Sequence, residues 1–102
     1  MENPDEILAE TAVSLAKNWG LPEDAGTDWE TVIRILAARI REMLAFEMET
    51  LANAMYRIDV NEAKFHTALS LDSEEKRAFR IAELVVERER EKIITRKKYR
   101  QG

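Results

Sequence analysis

The stretch TDWETVIRILAARIREMLAFEMETLANAMYRID, residues 27–59, decides the fold. It contains neither glycine nor proline, and its apolar residues return at steps of three and four. Ile33, Leu36, Ala37, Ile40, Leu44, Leu51, Met55 and Ile58 fall on one stripe, as on an amphipathic helix. The spacing predicts one helix over residues 28–57, opened by Thr27 with Glu30 three residues on, a capping-box spacing. At ~1.5 Å per residue such a helix is about 45 Å long. A compact domain of this size is roughly 30 to 35 Å across, so part of the helix is expected to protrude or to lie against another subunit. Ile35 and Phe46 lie eleven residues apart and project from the opposite side, among Arg39, Glu42, Glu49 and Asn53. They are expected to form a second apolar patch, covered either by the first or last helix or by a second copy in a homodimer.

The same logic extends outward. No glycine or proline interrupts the chain from Thr27 to Gln101. Upstream, Asn3 with Glu6 and Pro4 mark the start of a helix over 4–19, whose stripe is Ile7, Leu8, Thr11, Ala12, Leu15, Ala16 and Trp19. Gly20 stops it, and residues 20–27, with Pro22, Glu23 and Asp24, have loop composition. Downstream, Asp59 with Glu62 predicts a short helix over 60–69, and Asp72 with Glu75 a last helix over 73–97. The core face of that helix reads Ala78, Phe79, Ala82, Val85, Val86 and Ile93. The expected fold is therefore all-α, a four-helix antiparallel bundle of unequal helices in one domain spanning 1–102, with a basic end, 96–102, that can fray.

Composition narrows the function. The 102 residues are 45% apolar and 35% charged, with no cysteine and one histidine. Thiol redox chemistry, disulfides and thiolate metal sites are excluded, and the missing cysteine suits a reducing, cytoplasmic setting. The opening residues are acidic where a secretory signal is basic, and the longest uncharged run is the seven residues Thr50 to Tyr56, so no membrane association is expected. Residues 1–50 carry 4 basic and 11 acidic side chains, and residues 51–102 carry 12 and 9. Opposite net charges on the two halves suggest attraction between them, within one fold or between two copies.

Candidate chemistry is sparse. Glu47 and Glu89 interrupt the apolar stripes of their helices, and a buried carboxylate must find an arginine or solvent. Read functionally, the two are interior acids of an enzyme or metal ligands. A dinuclear carboxylate centre, however, needs two Glu-x-x-His motifs, and this chain has none. His66 stands four residues after Glu62, close enough for an ordinary surface pair, with no nucleophile beside it. The residues name no catalytic set, no metal site and no cofactor. Within Glu87 to Lys92 acids and bases alternate as i, i+3 pairs, which reads as a solvated face. Arg96, Lys97, Lys98 and Arg100, with Tyr99 among them, either complement the negative end of the helix dipole or bind phosphates of a nucleic acid.

The block Tyr56 to Phe65, followed by Ile81 to Glu89 and by Thr95 to Arg100, resembles a group of small uncharacterised bacterial helical proteins. The resemblance covers roughly the second half of the chain and implies no activity, cofactor or catalytic residue. Within it, Tyr56, Arg57, Asp59 and Glu62 form a polar junction where the long helix ends, with Asp59 as a cap, Arg57 as a partner for Glu62, and the cluster as a surface for a protein partner. The reading that results is a protein–protein interaction or scaffold module, self-associating and not an enzyme. The alternatives are a nucleic-acid or ribosome-associated protein using the basic C-terminal helix, and an enzyme built on interior carboxylates.

Overall fold

The computed structural model describes residues 4–22 and 28–101, and all of its regular structure is helical. In chain order the helices are α1 (Pro4–Trp19), α2 (Trp29–Phe46), α3 (Met48–Arg57), α4 (Glu62–Leu69) and α5 (Glu74–Gln101). The caps expected at Asn3 and Thr27, and the acidic pair Glu23 and Asp24, lie outside the described residues.

The start and stop signals work through neighbouring atoms. Gly20 ends α1 with φ 72°, the left-handed conformation glycine adopts freely, and its amide donates to the Ala16 carbonyl at 3.1 Å. At the start of α2 the Asp28 carboxylate accepts from the Thr31 amide at 2.8 Å and from the Thr31 hydroxyl at 2.9 Å. Two other caps sit later than the spacing predicted. Asn61, not Asp59, accepts from the Lys64 amide at 3.0 Å and opens α4, while Asp59 turns the chain with φ 62°. Ser73, not Asp72, accepts from the Lys76 amide at 3.1 Å and opens α5, leaving Asp72 to pair with the Lys76 ammonium at 3.0 Å. Each site has two good capping residues close together, and the chain uses the second.

The largest departure is in the long helix. The expected single element over 28–57 is two, α2 and α3, broken at Glu47 with φ −140° and ψ 43°. Packing overrides helix propensity here, since the break turns Leu51 and Met55 back into the core with Leu15, Leu36, Ile40, Ile81 and Val85. The helix therefore does not protrude. The molecule measures 42 × 27 × 20 Å, and its long dimension matches α5, which at ~1.5 Å per residue is about 42 Å long.

α5 is the central element and packs against α1, α2 and α4. Because it is enclosed on several sides, its buried face is wider than the predicted stripe and includes Ile81 and Leu84, whereas Phe79 faces outward. Cross-helix contacts fix the directions. Arg41 reaches Glu74 and Glu75 at 3.6 Å each, and Arg90 lies 5.5 Å over the Trp29 ring, so α2 runs antiparallel to α5. Lys97 meets Glu10 at 3.3 Å and Ser14 meets Glu89 at 2.6 Å, so α1 is antiparallel to α5 as well. α1 and α2 thus share one sense, unlike successive helices of an alternating up-and-down bundle. α3 then carries the chain back along α5 to Arg88, whose Nε donates to the Ile58 carbonyl at 3.0 Å.

Candidate functional site

Helix α5 presents a row of cations at four-residue spacing, Arg88, Lys92, Arg96 and Arg100, along one edge of its C-terminal half. α1 lies beside that edge, and the end of α3 closes it. Between the three helices is an open groove of about 930 Å³. Its apolar lining comes from Trp19, Ile58 and Ile93, all buried, and from Val13, which is 63% exposed.

The groove is basic because most of its cations have no partner among the described residues. Lys17, Arg57, Lys92, Arg96 and Arg100 line it, and none makes an ion pair or side-chain hydrogen bond among the described residues. Elsewhere most of the basic side chains are committed. Arg34 pairs with Glu30, Arg39 with Glu42 and Glu47, Lys76 with Asp72, and Arg80 with Glu83. Arg88 also belongs to the framework, since besides holding the Ile58 carbonyl it meets Glu91 at 3.2 Å and Asp59 at 3.7 Å. Like charges at i, i+4 repel by a few tenths of a kcal/mol, so Lys92, Arg96 and Arg100 are a small cost to the folded chain.

Two acids lie within this basic surround, Glu10, which pairs with Lys97, and Glu89. Glu89 is 3% exposed, and its Oε2 accepts a 2.6 Å hydrogen bond from the Ser14 hydroxyl. The Asn18 side-chain amide donates in turn to Ser14 Oγ at 3.3 Å, which turns the serine proton toward the carboxylate. No cation lies within ion-pair distance of Glu89 among the described residues. Among the described residues no enclosed side-chain oxygen lacks a hydrogen-bond partner, so Oε1, which has none there, opens to solvent. The interior acid expected at position 89 is thus buried and held by a hydroxyl. The other, Glu47, is half-exposed at the α2–α3 break and pairs with Arg39 at 3.1 Å.

The remaining candidates are scattered. Ile35 is half-buried against the core, while Phe46, at the end of α2, is 87% exposed. Tyr56 is 89% exposed. Arg57 turns into the groove instead of pairing with Glu62, which meets His66 at 3.7 Å on the surface of α4. The basic run at the C-terminus is divided by the helix. Arg96 and Arg100 face the groove, Lys97 turns onto α1 to meet Glu6 and Glu10, and Lys98 stays on the outside. Lys17, Lys92, Ser14 and Glu89 complete the site, and no reading of the sequence grouped them. The signal that could have found Lys92 is the step of four from Arg88 to Arg100, hidden inside an apparently alternating charge run.

Chemically, the groove offers several cations without a partner among the described residues, an apolar floor and two acids, Glu10 tied to Lys97 and Glu89 held by Ser14, a set that complements an anionic ligand. Among the described residues no three histidine, aspartate or glutamate side chains come together as a metal-binding group, and no helix is long and apolar enough to cross a membrane. Set against protein-family models, curated proteins and solved structures, the chain matches none, so its functional reading rests on the chemistry of this groove.

Proposed function

We propose that this protein is a non-catalytic interaction module that seats an acidic, amphipathic segment of a partner protein in the groove between α1, α3 and α5. The observation that carries this reading is the gathering around one groove of five cations, Lys17, Arg57, Lys92, Arg96 and Arg100, that make no ion pair among the described residues. A helix with acidic flanks and an apolar stripe complements such a surface, its stripe against Val13, Ile58 and Ile93 and its carboxylates on the rims. Nucleic acid fits less well. The chain as a whole carries a net charge of −4, and the one aromatic side chain on the groove, Trp19, is buried and offers no stacking face. The absence of cysteine supports a reducing, cytoplasmic setting.

The test compares the wild type with Lys92→Glu/Arg96→Glu as bait in nuclease-treated native lysate. The expected result is a protein with an acidic amphipathic segment that binds wild type, weakens as salt rises and is lost with the double variant. A partner held equally by both baits excludes the groove. Cargo that disappears on nuclease treatment replaces the protein partner with nucleic acid.

A further inference from the structure

The break at Glu47 has no local cause in the sequence. Ala45, Phe46, Glu47, Met48 and Glu49 include neither glycine nor proline, and alanine, glutamate and methionine are among the better helix formers. Yet the amides of Met48, Glu49 and Thr50 do not reach back to the carbonyls of Leu44, Ala45 and Phe46, and no side chain caps the start of α3. Only the bonds on either side survive, Glu47 N to Met43 O at 2.7 Å and Leu51 N to Glu47 O at 3.0 Å. At the break itself the side-chain tie among the described residues is Arg39 to Glu47, a partly exposed pair of small worth.

What holds the bend closed is the packing of everything after Glu47 onto everything before it. The polar contacts between these two parts are Ser14 to Glu89, Glu6 and Glu10 to Lys97, Arg41 to Glu74 and Glu75, and Arg90 over Trp29. The burial of Leu51, Ile81 and Val85 with Leu15, Leu36 and Ile40 joins the same two parts. None of these contacts requires both sides to belong to one molecule.

We propose that Glu47 is a hinge through which two copies of this chain exchange α3, α4 and α5, forming a dimer in which α2 and α3 continue as one helix. The exchanged dimer keeps each contact between the two parts, gives up the weak Arg39–Glu47 pair, and adds the three backbone hydrogen bonds that the break omits. Charge favours the exchange in trans as it does in cis, because residues 1–46 carry 4 basic and 9 acidic side chains and residues 47–102 carry 12 and 11. Phe46, 87% exposed, and Met48, 40% exposed, place apolar surface at the elbow where the two long helices of the dimer pass each other. The groove becomes composite, with Ser14 and Lys17 from one copy and Glu89, Lys92 and Arg96 from the other. This holds whatever the groove binds.

The test uses two hinge variants of the full chain. Glu47→Ala favours the continuous helix and removes the tie to Arg39, whereas Glu47→Gly favours the break. With two hinges per dimer, the dimerisation constant of Glu47→Ala should exceed that of Glu47→Gly by about 30-fold in sedimentation equilibrium. To identify the kind of dimer, labelled and unlabelled nitrogen-isotope forms of Glu47→Ala are unfolded together, refolded and treated with a carbodiimide. This joins Glu10 to Lys97, 3.3 Å apart, without a spacer. In the dimer fraction the exchange predicts cross-links that join a labelled to an unlabelled peptide. A Glu47→Ala protein that stays monomeric at its highest soluble concentration overturns the proposal. So does a dimer whose Glu10–Lys97 cross-links join only peptides of the same isotope, since copies packed side by side give that result.

Discussion

At the scale of single residues, the contact between Ser14 and Glu89 is the most exposed to test. A carboxylate that is 3% exposed and holds one 2.6 Å bond from a hydroxyl depends on that hydroxyl. Ser14→Ala leaves the buried acid without its donor and should cost about 2 to 3 kcal/mol in urea unfolding. The same substitution in a Glu89→Leu background should cost almost nothing, because the group needing the hydroxyl is gone. Glu89→Leu itself should be neutral or stabilising, as replacements of buried charges by apolar residues often are. Equal losses for Ser14→Ala in both backgrounds would mean that the serine acts through packing alone. Asp59 supplies a second residue-scale case. It holds φ 62°, and for a non-glycine residue that conformation costs about 1 kcal/mol, against which its carboxylate offers only an exposed 3.7 Å contact to Arg88. Asp59→Gly should therefore leave stability unchanged or raise it by up to about 1 kcal/mol, and Asp59→Val should lower it. A melt in which glycine is the worse of the two would place the value of Asp59 in its side chain instead.

At the scale of elements, α5 carries the fold because three other helices pack on it, and its centre is where truncation should hurt most. Ile81 is fully buried, so Ile81→Ala should cost about 2 to 5 kcal/mol, whereas Phe79→Ala, on the outward face, should cost well under half of that. The predicted stripe included Phe79 and omitted Ile81, for a physical reason. A 3.6-residue stripe locates the centre of a helix face facing one neighbour, but a helix with neighbours on several sides buries a broad arc whose limits depend on where they sit. The stripe of α1 was legible because α1 faces inward on one side only, and Gly20 was legible as its stop because a left-handed residue there needs no tertiary information. The break at Glu47 was illegible for the converse reason. Nothing in Phe46-Glu47-Met48 disfavours a helix, and the bend exists because Leu51 and Met55 gain more by returning to the core than three solvated amides lose. The groove lay between these cases. The step of four through Lys92, Arg96 and Arg100 was present in the sequence, but Lys17 and Arg57 join it only because α1 and the end of α3 happen to flank that edge.

At the scale of the whole molecule, the distribution of ion pairs separates what the chain needs for folding from what it holds in reserve. On most faces a cation has an acid three or four residues away or across a helix contact. Around the groove, Lys17, Arg57, Lys92, Arg96 and Arg100 make no ion pair among the described residues, although the chain has 20 acidic residues to 16 basic ones. A surface kept basic for folding should lose stability when neutralised, whereas one kept basic for a ligand should not. Replacing Lys92, Arg96 and Arg100 together with glutamine removes three like-charged i, i+4 pairs, Arg88 with Lys92, Lys92 with Arg96 and Arg96 with Arg100, and breaks no hydrogen bond or ion pair among the described residues. The melting temperature of the triple variant should therefore equal or slightly exceed that of wild type, with the gain shrinking as salt screens the repulsion. Binding should move the opposite way, with the affinity for an acidic partner falling in the variant and losing most of its dependence on salt. A triple variant that unfolds well below wild type would show that the row stabilises the C-terminal half of α5, as cations at a helix C-terminus can, and would return these residues to a structural role.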